Sequence, residues 1–148
     1  RSAGVPCLIS QYRYSMFDRT VEEKSLPLAA EQGSGFIAFS PLAQGLLTKK
    51  YLHGIPEHSR AARSTGFLKV DQVTEDKVGK ARRLDEIAAR RGQTLAEMAL
   101  AWVLKDERMT SVIVGTSSVK QLADNLHALD NLNFTNEELA EIEGILRL

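Results

Sequence analysis

The sequence has little cysteine, no long apolar run and no excess of either charge. Its 148 residues include one cysteine, Cys7, which excludes a disulfide framework and a cysteine-rich metal site and favours a reducing, cytoplasmic compartment. No apolar stretch approaches the roughly 20 residues that cross a bilayer, and no basic segment followed by an apolar one opens the chain. We therefore expect neither a membrane-spanning nor a secreted protein.

The charges balance, with 19 Lys plus Arg against 19 Asp plus Glu. A net charge of zero removes the general attraction that nucleic acid or an anionic membrane surface requires. We therefore expect no nucleic-acid or membrane partner, and a ligand must be held by local groups. DNA binding through two helices of the second half is disfavoured for the same reason.

Three short apolar runs have the length of buried parallel strands, namely residues 6–10, 35–39 and 111–114. Segments with helical spacing separate and follow these runs. Strands that alternate with helices predict right-handed crossovers and a parallel α/β sheet. The predicted helix starts are Ser25, Thr74, the capping box at 94–97, Ser117 or Ser118, and the capping box at 135–138.

The connection from residue 42 to residue 73 has no helical period, and a loop of that length is more often functional than not. The three histidines, His53, His58 and His127, share no spacing typical of metal ligands, so we interpret them as surface residues. The sequence contains no phosphate-binding loop of the GxxxxGK type and no GxGxxG motif.

Ligands of parallel α/β proteins bind at the carboxyl ends of the strands, which directs attention to residues 10–14, 40–48 and 115–118. In the last group, Gly115 and three hydroxyl residues precede a helix, where free N–H groups suit a phosphate. Simple N-capping explains the same stretch. Gln11, at the end of the first predicted strand, requires a partner if its amide is buried.

Three segments together resemble the C-terminal part of the aldo-keto reductases. They are residues 10–19 (SQYRYSMFDR), 39–48 (FSPLAQGLLT) with Lys50 and Tyr51, and 112–118 (VIVGTSS) with Gln121, Leu122 and Asn125. The resemblance extends to the bacterial glyceraldehyde-phosphate reductase type and the related β-subunits of voltage-gated potassium channels. It implies that residues 1–148 are the C-terminal portion of a (β/α)8 TIM barrel, an α/β fold, and supply strands six to eight with their helices.

The resemblance also implies NADP(H) as cofactor and NADPH-dependent reduction of aldehydes or ketones to alcohols. Gln11 is expected to bind the nicotinamide carboxamide, and Phe39 to stack on the nicotinamide ring. The residues expected around the pyrophosphate are Ser40, Pro41, Leu42, Ala43, Gln44 and Gly45, with added charge from Lys50 and Arg60. Those expected to hold the adenosine 2′-phosphate and adenine are Gly115, Ser117, Gln121, Asp124 and Asn125.

Two departures from the family pattern stand out. Lys49 occupies a position where the family commonly has Gly, and a positive φ there would carry a cost. The family's catalytic Asp, Tyr, Lys and His belong to the N-terminal half of the barrel, and Tyr12, Tyr14 and Tyr51 do not match the catalytic Tyr motif. We therefore expect this chain to position the cofactor without protonating the product by itself.

The chain opens at Arg1 without a Met, which we interpret as the cut edge of the barrel. Three strands of eight would expose two sheet edges and the helix faces that pack on missing neighbours. We expect the chain to pair with its missing half or to self-associate. The alternative is a non-catalytic module that senses NADPH and binds a partner protein.

Overall fold

The computed structural model describes residues 4–57, 59, 61–62 and 68–148. Three parallel strands form one sheet in the order β1, β2, β3, as the alternation of strands and helices predicts. The strands are β1 (Ile9–Arg13), β2 (Gly35–Phe39) and β3 (Ser111–Ile113), and the helices are α1 (Ser25–Glu31), α2 (Glu75–Arg90), α3 (Leu95–Leu104), α4 (Val119–Leu126) and α5 (Asn136–Arg147). Single-turn 3-10 helices lie at Ala43–Gly45, Lys49–Tyr51, Val70–Gln72 and His127–Asp130.

Four of the five helices begin at the hydroxyl residues that the sequence predicts. The side chains of Thr74, Thr94, Ser118 and Thr135 each accept a backbone N–H of the first turn. The backbone N–H groups of Thr94 and Thr135 donate in return to the carboxylates of Glu97 and Glu138, which completes both capping boxes. The prediction for Ser25 is wrong, because Ser25 is the first helical residue and Lys24 precedes it without a side-chain cap.

The first strand lies three residues later than the prediction of 6–10. The backbone of β1 pairs residue for residue with β2, from Ile9 opposite Gly35 to Arg13 opposite Phe39. The central strand therefore decides which residues of its neighbour enter the sheet, and two polar side chains, Gln11 and Arg13, become strand residues. The apolar residues Val5 and Leu8 precede the sheet and are exposed.

Helices cover one face of the sheet only. Phe36 and Ala38 of β2 point into the helical layer and are fully buried, where they contact a core that includes Leu84, Met98 and Trp102. Side chains alternate along a strand, so the intervening residues of β2 face the other way. The expectation of strands buried on both faces is wrong for β1 and β3, which are largely exposed because the second face is open.

One side of α4 and the turn that follows it is apolar and exposed. Val119, Leu122, Leu126 and Leu129 recur at helical spacing, and between 43% and 87% of each residue's surface is accessible. This face, which we call the α4 stripe, would normally be buried against another element.

The structure bears on membrane-spanning helices and metal sites only for the described part of the chain. Within it, no helix combines the length and the apolar character needed to cross a bilayer. The same residues hold no group of three or more side chains placed to bind a metal ion. His53 and His127 are exposed, as predicted, whereas His58 lies outside the described residues.

Arg91 attaches the C-terminal helix to the rest of the molecule. Its side chain is 3% exposed and pairs with Glu138 of α5. The guanidinium also donates to the carbonyl oxygen of Asn133, at 2.9 Å, and lies 3.7 Å from the ring centroid of Phe134. One side chain, directly after the end of α2, thus contacts a carboxylate of α5, and a backbone carbonyl and an aromatic ring of the segment that leads into α5.

Truncating this side chain should destabilise the protein far more than truncating its neighbour. We expect Arg91→Ala to lower the free energy of unfolding by about 2–4 kcal/mol, because it leaves a partly buried carboxylate without its counter-ion and the Asn133 carbonyl without this donor. Arg90→Ala is the matched control, since Arg90 pairs with Glu141 at the surface, with 57% of the arginine side chain exposed. Its loss should be below about 1 kcal/mol. Urea titrations measure both, and equal losses would contradict the role given to Arg91.

Candidate functional site

The loops that follow β2 and β3 enclose a groove of about 560 Å³ at the carboxyl ends of the strands. Two motifs about seventy positions apart in the chain meet there because β2 and β3 pair in parallel, with Phe39 opposite Ile113. The volume is within the usual range for sites of small molecules. The residues that line the groove are Ser40, Pro41, Leu42, Gln44, Gly45, Thr48, Lys50, Ile113, Val114, Gly115, Thr116, Ser117 and Gln121.

One wall of the groove is a loop with an unusual backbone. Ser40, Ala43 and Gln44 have φ values of 55°, 48° and 61°, in the left-handed region that side chains other than glycine rarely adopt. Such residues cost about 1–2 kcal/mol each and concentrate at functional sites. The Gln44 amide donates to the Ser40 hydroxyl at 2.9 Å, which holds the curve of the loop.

Thr48 joins the two ends of this wall. Its hydroxyl donates to the carbonyl of Gly45 at 2.7 Å and accepts the N–H of Lys50 at 3.2 Å. Gly45 has φ of 100°, and a Cβ there would stand 3.4 Å from the ring of Tyr51, so glycine fits both the conformation and the space. Lys49 lies in a 3-10 helix outside the left-handed region, and the cost predicted for it does not arise.

The other wall is the N-terminus of α4. Ser118 is the N-cap, because its hydroxyl accepts the N–H of Gln121 at 3.1 Å. Ser117 is therefore free for another role, and its N–H and hydroxyl both donate to Oε1 of Gln121, at 2.8 and 3.1 Å. An amide oxygen thus lies where two donors converge at a helix start, the place that an oxygen of a bound anion would take.

The charges around the groove favour an anion. Lys50 is exposed and lines it, whereas none of the described residues that line it is Asp or Glu. The nearby carboxylate of Asp124 is held by Lys120, with 2.9 Å between the charged atoms. The described lining therefore combines backbone and hydroxyl donors with the Lys50 cation and holds no opposing carboxylate.

Gln11 and Phe39 lie on the open face of the sheet, next to the groove. Phe39 is the last residue of β2, and Gln11 pairs with Ile37, two residues before it, so that both side chains point to the same side. Gln11 is exposed in the described structure, so the condition under which its amide would require a partner does not arise there. The two residues stand where a ligand that extends from the groove onto the sheet would contact them.

Besides Gln11 and Phe39, three predicted site residues do not line the groove, and one more lies outside the described residues. Ala43 packs against the hydrophobic core, and Asp124 is engaged by Lys120. Asn125 is buried, and its amide nitrogen has no hydrogen-bond partner within the described structure. Arg60 is the residue outside that range.

Four lining residues were not among the predicted site residues. They are Thr48, Ile113, Val114 and Thr116. Each belongs to one of the three segments that carry the family resemblance, so their position in those segments was the available signal. Only the pairing of β2 with β3 shows that all four face one groove.

The tyrosines lie away from the groove lining. Tyr14 is buried and donates to Glu22 at 2.8 Å, and burial, followed by this bond, raises the pKa of its hydroxyl well above the ordinary value. Tyr51 is buried behind Gly45, and Tyr12 stacks on Phe36 on the helical side of the sheet. None of them is placed to donate a proton to a ligand in the groove.

Comparison with known proteins identifies one matching family and similar proteins of known name. The model of the family described as "Aldo/keto reductase family" matches residues 1–147. The L-glyceraldehyde 3-phosphate reductase of Escherichia coli O157:H7 is 48% identical over 143 residues, which are 94% of this chain and 41% of that protein. The protein of the same name from E. coli K12 is 46% identical over 147 residues, which are 97% of this chain and 42% of that protein. The chain therefore spans about two fifths of the length of these relatives.

Proposed function

Because the chain belongs to the aldo/keto reductase family, we propose that it forms the NADPH-binding part of an enzyme that reduces an aldehyde or ketone to an alcohol. In that reaction bound NADPH supplies a hydride to the carbonyl carbon. The observation that carries the proposal is the groove between the loops after β2 and β3, whose donors suit phosphate groups.

The 2′-phosphate of the adenosine is assigned to the start of α4. The Ser117 N–H and hydroxyl already donate to an oxygen there, so a phosphate oxygen would replace Oε1 of Gln121 without any change in the donors. Gly115 leaves the approach open, because a Cβ at this residue would meet no atom within 4 Å. Asn125, whose buried amide nitrogen is unpartnered, lies one turn beyond Gln121 and is assigned to the adenine end after a side-chain rearrangement.

The pyrophosphate is assigned to the curved loop of residues 40–45, with Lys50 as the cation of that wall. The nicotinamide would then extend onto the open face of the sheet, where Phe39 offers a ring and Gln11 an amide. An aromatic ring and an amide are the groups that bind a flat ring carrying a carboxamide.

The rest of the active site is assigned to the longer protein. The relatives are more than twice as long as this chain, and among the described residues none covers the α4 stripe or pairs with the outer edges of β1 and β3. We assign β1, β2 and β3 to strands six, seven and eight of a (β/α)8 barrel, whose remaining strands would close the open face and supply the proton donor.

The names of the relatives extend the proposal to the substrate, and the single cysteine extends it to the compartment. Both relatives are named as reductases of L-glyceraldehyde 3-phosphate, and a short phosphorylated aldehyde is the corresponding substrate class for the protein that carries this chain. The proposed compartment is the cytoplasm, where the exposed thiol of Cys7 remains reduced.

A carboxylate at position 121 should weaken the binding of NADPH more than the binding of NADH. Gln121→Glu keeps an oxygen for Ser117 but adds a negative charge where the 2′-phosphate is assigned. We expect the Kd for NADPH to rise at least about tenfold and the Kd for NADH to change less than about threefold. Titration of the full-length protein, followed by fluorescence of the bound reduced cofactor, measures both.

The control for this variant is Arg83→Gln, which changes the net charge by the same amount at an exposed position of α2. Because Arg83 does not line the groove, affinity for either cofactor should stay within about twofold. Equal weakening of NADPH and NADH by Gln121→Glu would place the 2′-phosphate elsewhere.

Turnover should require the rest of the barrel. A preparation shown by intact mass to contain only these residues should reduce no aldehyde, because the family resemblance places the proton donor in the N-terminal half of the barrel. The full-length protein should reduce glyceraldehyde 3-phosphate in the presence of NADPH. Turnover by the short chain would contradict the assignment of the proton donor, and a full-length protein that binds NADPH without turnover would favour a cofactor-sensing module.

A further inference from the structure

Arg13 brings a positive charge to the ring of Phe39. The carbon of its guanidinium lies 5.7 Å from the centre of that ring. The two residues are direct partners in the parallel register of β1 and β2. Because the backbones of paired strands run about 4.8 Å apart, rotation of the Arg13 side chain leaves its charge within a side chain's length of the ring.

This charge is not neutralised by an ion pair. Within the described part of the chain, Arg13 forms no salt bridge, whereas Arg19, Arg91 and Arg108 each pair with a carboxylate. Arg13 lines a cavity of about 300 Å³ that shares Ser40 with the groove.

The other charged groups of that cavity are Asp18 and Lys77. Asp18 accepts the Thr20 hydroxyl at 3.0 Å, and the Lys77 ammonium is directed to the carbonyl of Gln72 at 3.4 Å. Two cations and one carboxylate among its described lining residues therefore give this cavity a net positive charge, and Arg13 is the one of them that lies near the Phe39 ring.

We propose that Arg13 makes the site prefer the reduced cofactor to the oxidised one. The proposal rests on the function given above, in which Phe39 carries the nicotinamide ring. The oxidised nicotinamide ring bears a positive charge and the reduced ring is neutral. A guanidinium beside the ring therefore repels NADP⁺ and leaves NADPH unaffected.

Only the difference between the two forms depends on this charge. Moving the guanidinium off the ring face to admit the nicotinamide costs the same for both forms and cancels in the ratio of their dissociation constants. For two unit charges about 6 Å apart, the Coulomb energy corresponds to a factor of roughly 3 in water and roughly 100 at the effective dielectric of a protein surface. We therefore expect about a tenfold preference for NADPH from Arg13.

The preference has a consequence for product release. Oxidised cofactor is the product of carbonyl reduction, and its release is favoured when the site binds it weakly. Arg13 is in this sense a residue that sets cofactor specificity and limits inhibition by the oxidised product, while the equilibrium of the reaction is unchanged.

The test is calorimetric titration of the full-length protein with NADPH and with NADP⁺ at low ionic strength. Arg13→Met keeps the length of the side chain and removes its charge, and it should reduce the ratio of the Kd for NADP⁺ to the Kd for NADPH about tenfold, mainly by tightening NADP⁺. Arg13→Lys should retain most of the ratio. Arg83→Met removes one charge from an exposed position of α2 and should leave the ratio unchanged.

The outcomes separate this inference from the proposed function. If NADPH binds and the ratio is the same in the wild type and in Arg13→Met, the inference is overturned and the proposed function stands. If the wild type binds neither form, the proposed function fails and the inference fails with it. Raising the salt concentration from about 20 mM to about 500 mM should shrink the wild-type ratio, since screening weakens exposed charge interactions, and a ratio indifferent to salt would also overturn the inference.

Discussion

The pairing of β2 with both of its neighbours is the constraint on which the rest of the structure depends. This strand is the only one of the described sheet with a partner on each side, and its five residues set the register of β1 and of β3. The register brings the loop after Phe39 against the loop after Ile113 and makes the groove. It also places Gln11 and Arg13 on the face that Phe39 occupies, so one strand positions both halves of the candidate site.

The groove proposed for an anion offers mainly neutral donors. Backbone N–H groups and hydroxyls at the start of α4 supply directional donors, and Lys50 is the cation among the described lining residues. Such donors act over a short range, whereas a large net charge acts over many ångströms. The net charge of zero is therefore compatible with the proposed binding of a phosphorylated cofactor without general attraction of polyanions.

The sheet is stabilised from one side. A continuous core of helices packs on Phe36 and Ala38, and Arg91 ties the last helix to that layer. The opposite face carries Gln11, Arg13 and Phe39 of the candidate site, and no described residue covers this face, the α4 stripe or the outer sides of β1 and β3. This division follows from the alternation of side chains along a strand. The side chains of one face pack against the helices, and those of the other face remain accessible.

Local physics made part of this predictable from the sequence. A hydroxyl followed by a carboxylate three residues later specifies a capping box, and Thr94 and Thr135 form theirs as predicted. The central strand, the parallel sheet and most of the groove lining were predicted too, because apolar runs and ligand-binding loops are local in sequence. The position of β1, the exposure of Gln11, the left-handed backbone of Ser40, Ala43 and Gln44, and the charge of Arg13 beside Phe39 depended on strand pairing. Pairing joins residues distant in the chain, and only the tertiary structure decides which of them meet.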